Sequence, residues 1–267
     1  VVYDCMDELS AFKFAPPMLK QLEKDLLNKA DLVFTGGVSL YEYKKDQHHN
    51  IYPFPSSIDY KHFGQGRTIR EEPADQKDIP HPRIGFYGVV DERFDIELLD
   101  KSAELRPEWH FVILGPVVKI DEASLPRRNN IHYLGSKSYN ELPAYLSGWD
   151  IAMIPFARNE STRFISPTKT PEYLAAGRPV ISTSIKDVVD PYHKNELVEI
   201  ADDAETFVQA AERIFKRTDK NAWLQKVDDF LANNSWDKTW GAMFKLMNMA
   251  IKDNTTITSK KTKEAYV

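Results

Sequence analysis

Between Arg83 and Phe215 the chain alternates short apolar runs with helix-length segments, and this alternation restricts the fold more than any other feature. The runs RIGFYG, HFVILG, IHYLG, DIAMIPF, PVIST and LVEI read as strands. Between them, Asp95–Leu105 carries Ile96, Leu99 and Ala103 on one helical face and stops before Pro107. Tyr139–Leu146 and the stretch entering at Ser166 are helical, and Phe207, Ala210, Ala211, Ile214 and Phe215 form a last amphipathic face. A strand that always returns through a helix must pair in parallel, with right-handed crossovers and helices on both faces of the sheet. The fold class is therefore α/β, a doubly wound, Rossmann-like parallel sheet, whose ligands sit beyond the carboxyl ends of its strands.

The preceding residues are organised differently. Val1–Cys5, Ala30–Gly37 and Asn50–Phe54 read as strands. Pro16–Pro17 open a helix with Leu19, Leu22 and Leu26 on one face, and Ser39 caps another reaching about Lys45. This is too little for a complete α/β layer, so residues 1–57 are expected to be the end of a partial second domain. The sequence opens without Met, like the middle of a longer protein. Residues 58–82, rich in Pro, Gly and charge, are expected to connect the domains, and 83–234 to form the second domain. Ser235 caps a closing helix over 235–252 with a stripe of Trp236, Trp240, Met243, Phe244 and Met247, and the polar tail 253–267 is expected to fray.

Charge and cysteine content narrow the chemistry. A net charge of −5 and a pI of about 5.9 provide no global field for nucleic acid, so any anion needs a local site. Cys5 is the single cysteine, which excludes an intrachain disulfide and suits a reducing compartment. No apolar run approaches the ~20 residues that span a bilayer, and the expected location is cytoplasmic. Gly88, Gly115 and Gly135 end three successive strands, either as tight turns or as points where backbone approaches a ligand. Neither a G-x-G-x-x-G fingerprint nor a P-loop lysine motif is present. In SPTKTPEYLAAGRPVIST (Ser166–Thr183), Ser166 and Pro167 read as N-cap and first helical residue, leaving the N–H groups of Thr168 and Lys169 toward an anion. Lys169 adds a full charge, and Glu172 is placed to accept two hydroxyl protons from a ribose diol. The alternative is that Glu172 complements the helix dipole and Lys169 is solvated. The seven histidines show no metal spacing, His48–His49 reads as a solvated loop, and no D-x-D occurs, so neither metal nor cofactor is expected. Asp4 and Asp7 stand at a strand end as candidates for catalysis or for turn and capping roles. Asn159–Ser161 matches a glycosylation sequon with nothing else pointing to secretion.

The segments GFYGVVDERFDIELL, PEWHFVILGP, NIHYLGSKSYNELPAYLSGWDIAMIPF and SPTKTPEYLAAGRPVIST together resemble the C-terminal half of GT-B glycosyltransferases. More narrowly they resemble the bacterial group-1, retaining, nucleotide-sugar-dependent enzymes of cell-surface polysaccharide assembly, from about Val1 to Trp240. The resemblance implies two Rossmann-like domains, with acceptor bound mainly by the first and the nucleotide diphosphate sugar by the second, and a closing helix that crosses back to the first. It implies that Glu172 holds the ribose hydroxyls, that Thr168 and Lys169 contact the diphosphate, that Gly88 faces the phosphates, and that Arg93 is the basic residue after the first strand. Lys169 and Arg93 would then be the catalytic pair, and Gly88, Gly115, Gly135, Ser166, Thr168, Lys169 and Glu172 the donor nucleotide set.

The sequence departs from the family pattern at three places. Phe164 stands eight positions before Glu172, where many members have a glutamate that touches the donor sugar, and Glu160 is out of register. GVVDERFD lacks the usual Arg and Lys spacing, and Pro171 lies inside the first helical turn. The implied function is a hexosyltransferase-like transfer (EC 2.4 class) from a nucleotide sugar to a saccharide or lipid-linked acceptor, with poor activity from this segment alone. The alternatives are a non-catalytic nucleotide-sugar-binding module and a GT-B-fold epimerase. A homodimer contact and peripheral association at the inner face of the membrane, through the absent part of the first domain, are further expectations; nucleic acid is not an expected partner.

Overall fold

The computed structural model describes residues 1–264, with side chains through Lys252; residues 265–267 lie outside the described residues. The first elements are β1 (Val2–Cys5), α1 (Leu19–Lys29), β2 (Leu32–Thr35), α2 (Val38–Lys44) and β3 (Ile51–Pro53). The strands pair in parallel in the order β1-β2-β3, and the central β2 is buried along its whole length. The helix face facing this sheet differs from the expected one: α1 buries Leu27 at 4% exposure and leaves Leu22 54% exposed. His48 is likewise not solvated. It is buried, with Nε2 3.0 Å from the carbonyl of Ala30, and it ties the start of β3 to the end of α1.

The stretch 58–82 is more than a connection. It forms α3 (Tyr60–Phe63), capped by the Asp59 carboxylate accepting from the N–H of His62 at 2.9 Å. It then wraps back over the second sheet, where Gln76, fully buried, accepts from the indole N–H of Trp149 at 2.8 Å. Trp149 in turn lies flat on Gly85, where a Cβ would meet its ring at 2.0 Å. A strand glycine here makes room for a fully buried tryptophan, whose truncation to alanine would cost about 3–5 kcal/mol.

The second sheet follows from β4 (Arg83–Tyr87), α4 (Ile96–Leu105), β5 (His110–Leu114), β6 (Ile131–Gly135), α5 (Leu142–Ser147), β7 (Ile151–Ile154), α6 (Lys169–Ala175), β8 (Val180–Ser182), α7 (Lys186–Val188), β9 (Val198–Ile200) and α8 (Ala204–Phe215). All its strands are parallel, in the order β6-β5-β4-β7-β8-β9. The chain winds outward from β4 through β5 to β6, then returns to the other side of β4 with β7. That reversal opens a crevice beyond the carboxyl ends of β4 and β7. The hydrophobic core is centred on this sheet.

Two helices complete the chain. α9 (Lys220–Leu231) was not legible, because its buried positions Trp223, Val227 and Leu231 are set among polar residues. α10 runs from Trp236 to Glu264, so the helix continues into the segment expected to fray. Its stripe is not a core face: Trp236, Trp240 and Phe244 are 50%, 59% and 52% exposed.

Candidate functional site

The crevice at the strand-order reversal is built around two glycines. Gly88, directly after β4, has φ +143°, and Gly115, directly after β5, has φ +134°. Their backbones nearly touch: a Cβ on Gly115 would lie 1.9 Å from the carbonyl oxygen of Gly88. The N–H of Gly88 donates to Leu114 and that of Gly115 to Gly135, each at 2.9 Å, so the three loops step across adjacent strands. Gly135 differs from the other two. Its φ is +68°, but a Cβ there would meet nothing within 4 Å, so it is a turn residue and not a point of close approach.

Lys169 opens α6 and reaches over Gly88, where a Cβ would meet its Cε at 2.6 Å and its Nζ at 3.0 Å. The ammonium lies 5.8, 5.9 and 5.8 Å from the ring centroids of Phe86, Tyr87 and Phe156. Among the described residues no carboxylate pairs with it. Burial pushes the Lys169 amine below the ordinary lysine value, opposed by Glu172 and reinforced by Arg93. A half-buried cation packed against aromatic faces, with no carboxylate bonded to it among the described residues, favours an anion at that spot.

Glu172 lies one turn further on α6. Burial raises its carboxyl, while a hydrogen bond from the Tyr87 hydroxyl and the charge of Lys169 act to lower it. Tyr87 itself is fixed, because its N–H donates to the hydroxyl of Tyr173 at 3.1 Å. Close by, Tyr139 stacks on His62 at 4.1 Å and 10°, with Phe63 edge-on at 5.5 Å. Glu172 therefore faces a patch with aromatic walls, suited to a ring carrying hydroxyls.

The remaining sequence candidates are less uniform. Thr168, and not Ser166, is the N-cap of α6, with no side-chain capping bond; the helix starts three residues after Ser166, and Pro171 is buried in its first turn. Ser166 instead lies against Gly37, as does the Asp187 carboxylate. Arg93 lies near Lys169, but its Nε and Nη2 are bonded to Asp91 at 2.9 and 2.6 Å, and its guanidinium sits 5.3 Å over the Phe12 ring. The Asp91 bond raises the Arg93 value above that of an ordinary arginine. Phe164 stacks on Tyr43 at 4.3 Å, and Glu160 is exposed beside Arg163. Asn159 and Ser161 bond the carbonyls of Glu92 and Ala11. Cys5 is buried, and burial pushes its thiol up to about 12. Among the described residues no cluster of His, Cys, Asp or Glu could hold a metal, and no helix is long and apolar enough to cross a membrane.

Sequence reasoning missed Tyr87, Asp91 and Asp187. Tyr87 left a trace, a polar tip on an otherwise apolar strand beside Gly88. Asp91 and Asp187 left none, since their partners are set by folding.

Comparisons with known proteins give a consistent relationship. The profile of the family described as Glycosyl transferases group 1 matches residues 81–217. TuaH of Bacillus subtilis (strain 168), named as a teichuronic acid biosynthesis glycosyltransferase, is 22% identical over 260 residues, covering 89% of this chain and 64% of TuaH. The chain thus spans just under two thirds of that relative's length. Among solved structures, a sucrose-phosphate synthase from Thermosynechococcus elongatus superposes with a TM-score of 0.69 at 18% identity, covering 94% of this chain and 68% of the other. HepE of Anabaena, solved in complex with UDP and glucose, superposes with a TM-score of 0.65 at 15% identity, covering 97% of this chain and 71% of the other.

Proposed function

Since the chain belongs to the Glycosyl transferases group 1 family, we propose that it binds a nucleoside-diphosphate sugar in the crevice beyond β4 and β7 and takes part in transferring the sugar to a saccharide or lipid-linked acceptor. The observation that carries this reading is the Lys169 ammonium, unpaired among the described residues and held over Gly88, with Glu172 one turn further along the same helix. The diphosphate lies against Lys169 and the Gly88 backbone. The ribose hydroxyls donate to Glu172, and the base lies toward Tyr139.

In the transfer, the bond from the anomeric carbon to the diphosphate oxygen breaks and its electron pair stays on the diphosphate. The acceptor oxygen bonds to that carbon, and its proton passes to the departing diphosphate. Lys169 faces the oxygens where charge grows, and little water competes for them in a half-buried site. Arg93 contributes through N–H groups not used by Asp91. The three-stranded sheet forms the acceptor side, and retention of configuration follows the family. The similarity to TuaH supports a role in surface polysaccharide synthesis.

A thermal-shift series with nucleoside diphosphates, with and without magnesium, tests the reading. At a hundred times its dissociation constant a ligand adds roughly 2.7 kcal/mol. Absence of any shift at millimolar concentration would remove the donor site.

A further inference from the structure

We propose that Tyr87 is a positioning residue whose hydroxyl holds the Glu172 carboxylate in the orientation that accepts the ribose hydroxyls of the donor nucleotide. The inference rests on the donor-site reading and adds a residue that touches both charged groups of the site through different parts of one side chain.

Tyr87 closes β4 directly before Gly88, and its place is set from several sides. Its N–H donates to the Tyr173 hydroxyl at 3.1 Å, its ring meets that of Tyr173 edge-on at 5.0 Å, and the rings of Trp149 and Phe63 each lie 6.4 Å away. A ring 8% exposed among other aromatic rings has little freedom to move, so the hydroxyl at its tip is a fixed point. That hydroxyl donates to Oε2 of Glu172, while the ring lies 5.9 Å from the Lys169 ammonium.

Glu172 needs such a point. A glutamate side chain turns about several bonds, and a contact that orders it before the ligand arrives removes that cost from binding. Among the described residues the Tyr87 hydroxyl is the only side-chain group that donates a hydrogen bond to this carboxylate. With Oε2 turned onto Tyr87, Oε1 is left to accept from a ligand. The same bond favours the ionised carboxylate against its burial. The other titratable groups around Glu172 are Lys169 and Tyr173 on α6 and Tyr139 ahead of α5, and Lys169 is the one cation among them. Without the Tyr87 hydroxyl, Lys169 alone opposes the burial, and the Glu172 carboxyl takes up its proton at a higher pH.

The test compares Tyr87→Phe with the unaltered chain by titration calorimetry across pH, using UDP, GDP and ADP, each beside its 2′-deoxy form. The variant keeps the ring against Lys169 and removes the hydroxyl alone. With the nucleotide that binds, the preference for the ribose form over the 2′-deoxy form should shrink by about threefold or more, the worth of a weak hydrogen bond. The acid limb of ribonucleotide affinity should move to higher pH. In a Glu172→Ala background Tyr87→Phe should alter neither, because the group it acts through is gone. A merely structural role would weaken both forms together, so an unchanged preference overturns the assignment while the donor site stands. An unmoved acid limb, or the same effect in the Glu172→Ala background, also overturns it. So does a rise in ribonucleotide affinity, which would show the Tyr87 hydroxyl competing with ribose for Glu172. If the unaltered chain binds no member of the panel, the donor-site reading fails and the role of Tyr87 with it. A melting curve of each variant checks that the folded chain is what is titrated.

Discussion

At the scale of single residues the candidate site holds two groups whose ionisation burial displaces. Burial disfavours the Lys169 charge and sets its amine below an ordinary lysine, and a diphosphate bound there as proposed would restore a counter-charge and draw its proton back. Nucleoside diphosphate affinity is therefore expected to fall as pH rises through the lowered Lys169 value. Glu172 titrates above an ordinary glutamate, also through burial, so affinity for a ribonucleotide should fall as pH drops through that raised value. Calorimetry across pH should give a bell in which Lys169→Ala removes the alkaline limb and Glu172→Gln the acid one. Lys169→Ala should weaken UDP by about tenfold or more and leave uridine nearly unchanged, since hydrogen bonds to charged groups contribute about 1.5–3 kcal/mol. Equal losses for UDP and uridine would take Lys169 off the phosphates. Glu172→Gln should weaken UDP more than 2′-deoxy-UDP, and equal losses would remove Glu172 from the ribose. That Lys169 and Glu172 lie one turn apart on one helix was legible because the spacing is local. Ser166 was misread for a related reason: a Ser-Pro pair looks like a cap, yet the helix begins three residues later. The Asp91 bond that occupies much of Arg93 depends on how the loop between β4 and α4 folds, which no local pattern specifies.

At the scale of elements, strand ends and helix starts hold each other in place. Gly115 allows the Gly88 carbonyl to lie against its Cα, and its φ of +134° is one that side chains avoid. Gly115→Ala has no room unless the loop after β4 moves, so the melting temperature should drop and UDP affinity with it. Gly135→Ala meets open space and should cost only its backbone strain. If the two variants behave alike, the packing of Gly88 on Gly115 does not matter to the site. Helix α2 shows a second dependence between elements. Its N-cap is Gly37, which has no capping side chain, and the Asp187 carboxylate after β8 accepts from the Ser39 N–H at 2.9 Å instead. A cap supplied from the other sheet fixes the two sheets against each other. Asp187→Ala should cost about 1 kcal/mol or more in urea unfolding, while Asp187→Asn, which keeps an acceptor, should lose less. Burial raises the Asp187 carboxyl, so its ionisation opposes folding. This cost appears as pH rises above the unfolded carboxyl value and is complete above the raised folded one. Short apolar runs made the strands of both sheets legible, with a glycine ending those of β2, β4, β5 and β6. The cap on α2 was not, because a carboxylate 148 residues away leaves no mark near Ser39.

At the scale of the whole molecule, the sheets meet through specific contacts and not through a shared core. Asp187 bonds Ser39, Lys13 bonds Glu92, and Ser57 bonds Thr239 on α10. Buried residues around Leu27, Val33 and Ile51 form a cluster separate from the main core. On α10, Trp236, Trp240 and Phe244 are half exposed or more, and Trp240 and Phe244 stack at 6.1 Å. Helical periodicity identified this stripe correctly as one apolar face. Periodicity shows that a face is apolar but not what covers it, so the sequence could not say whether this chain or another would do so. An exposed aromatic row of this size favours association over solvation. The double variant Trp240→Glu, Phe244→Glu should therefore leave the melting temperature nearly unchanged, since exposed substitutions usually stay within about 0.5 kcal/mol. It should also shift the chain toward monomer in sedimentation velocity relative to the unaltered protein. A fall of many degrees in melting temperature would show instead that the stripe packs against the rest of this chain in solution. An unchanged sedimentation profile, with the unaltered protein already monomeric at high concentration, would show that two copies do not meet through it.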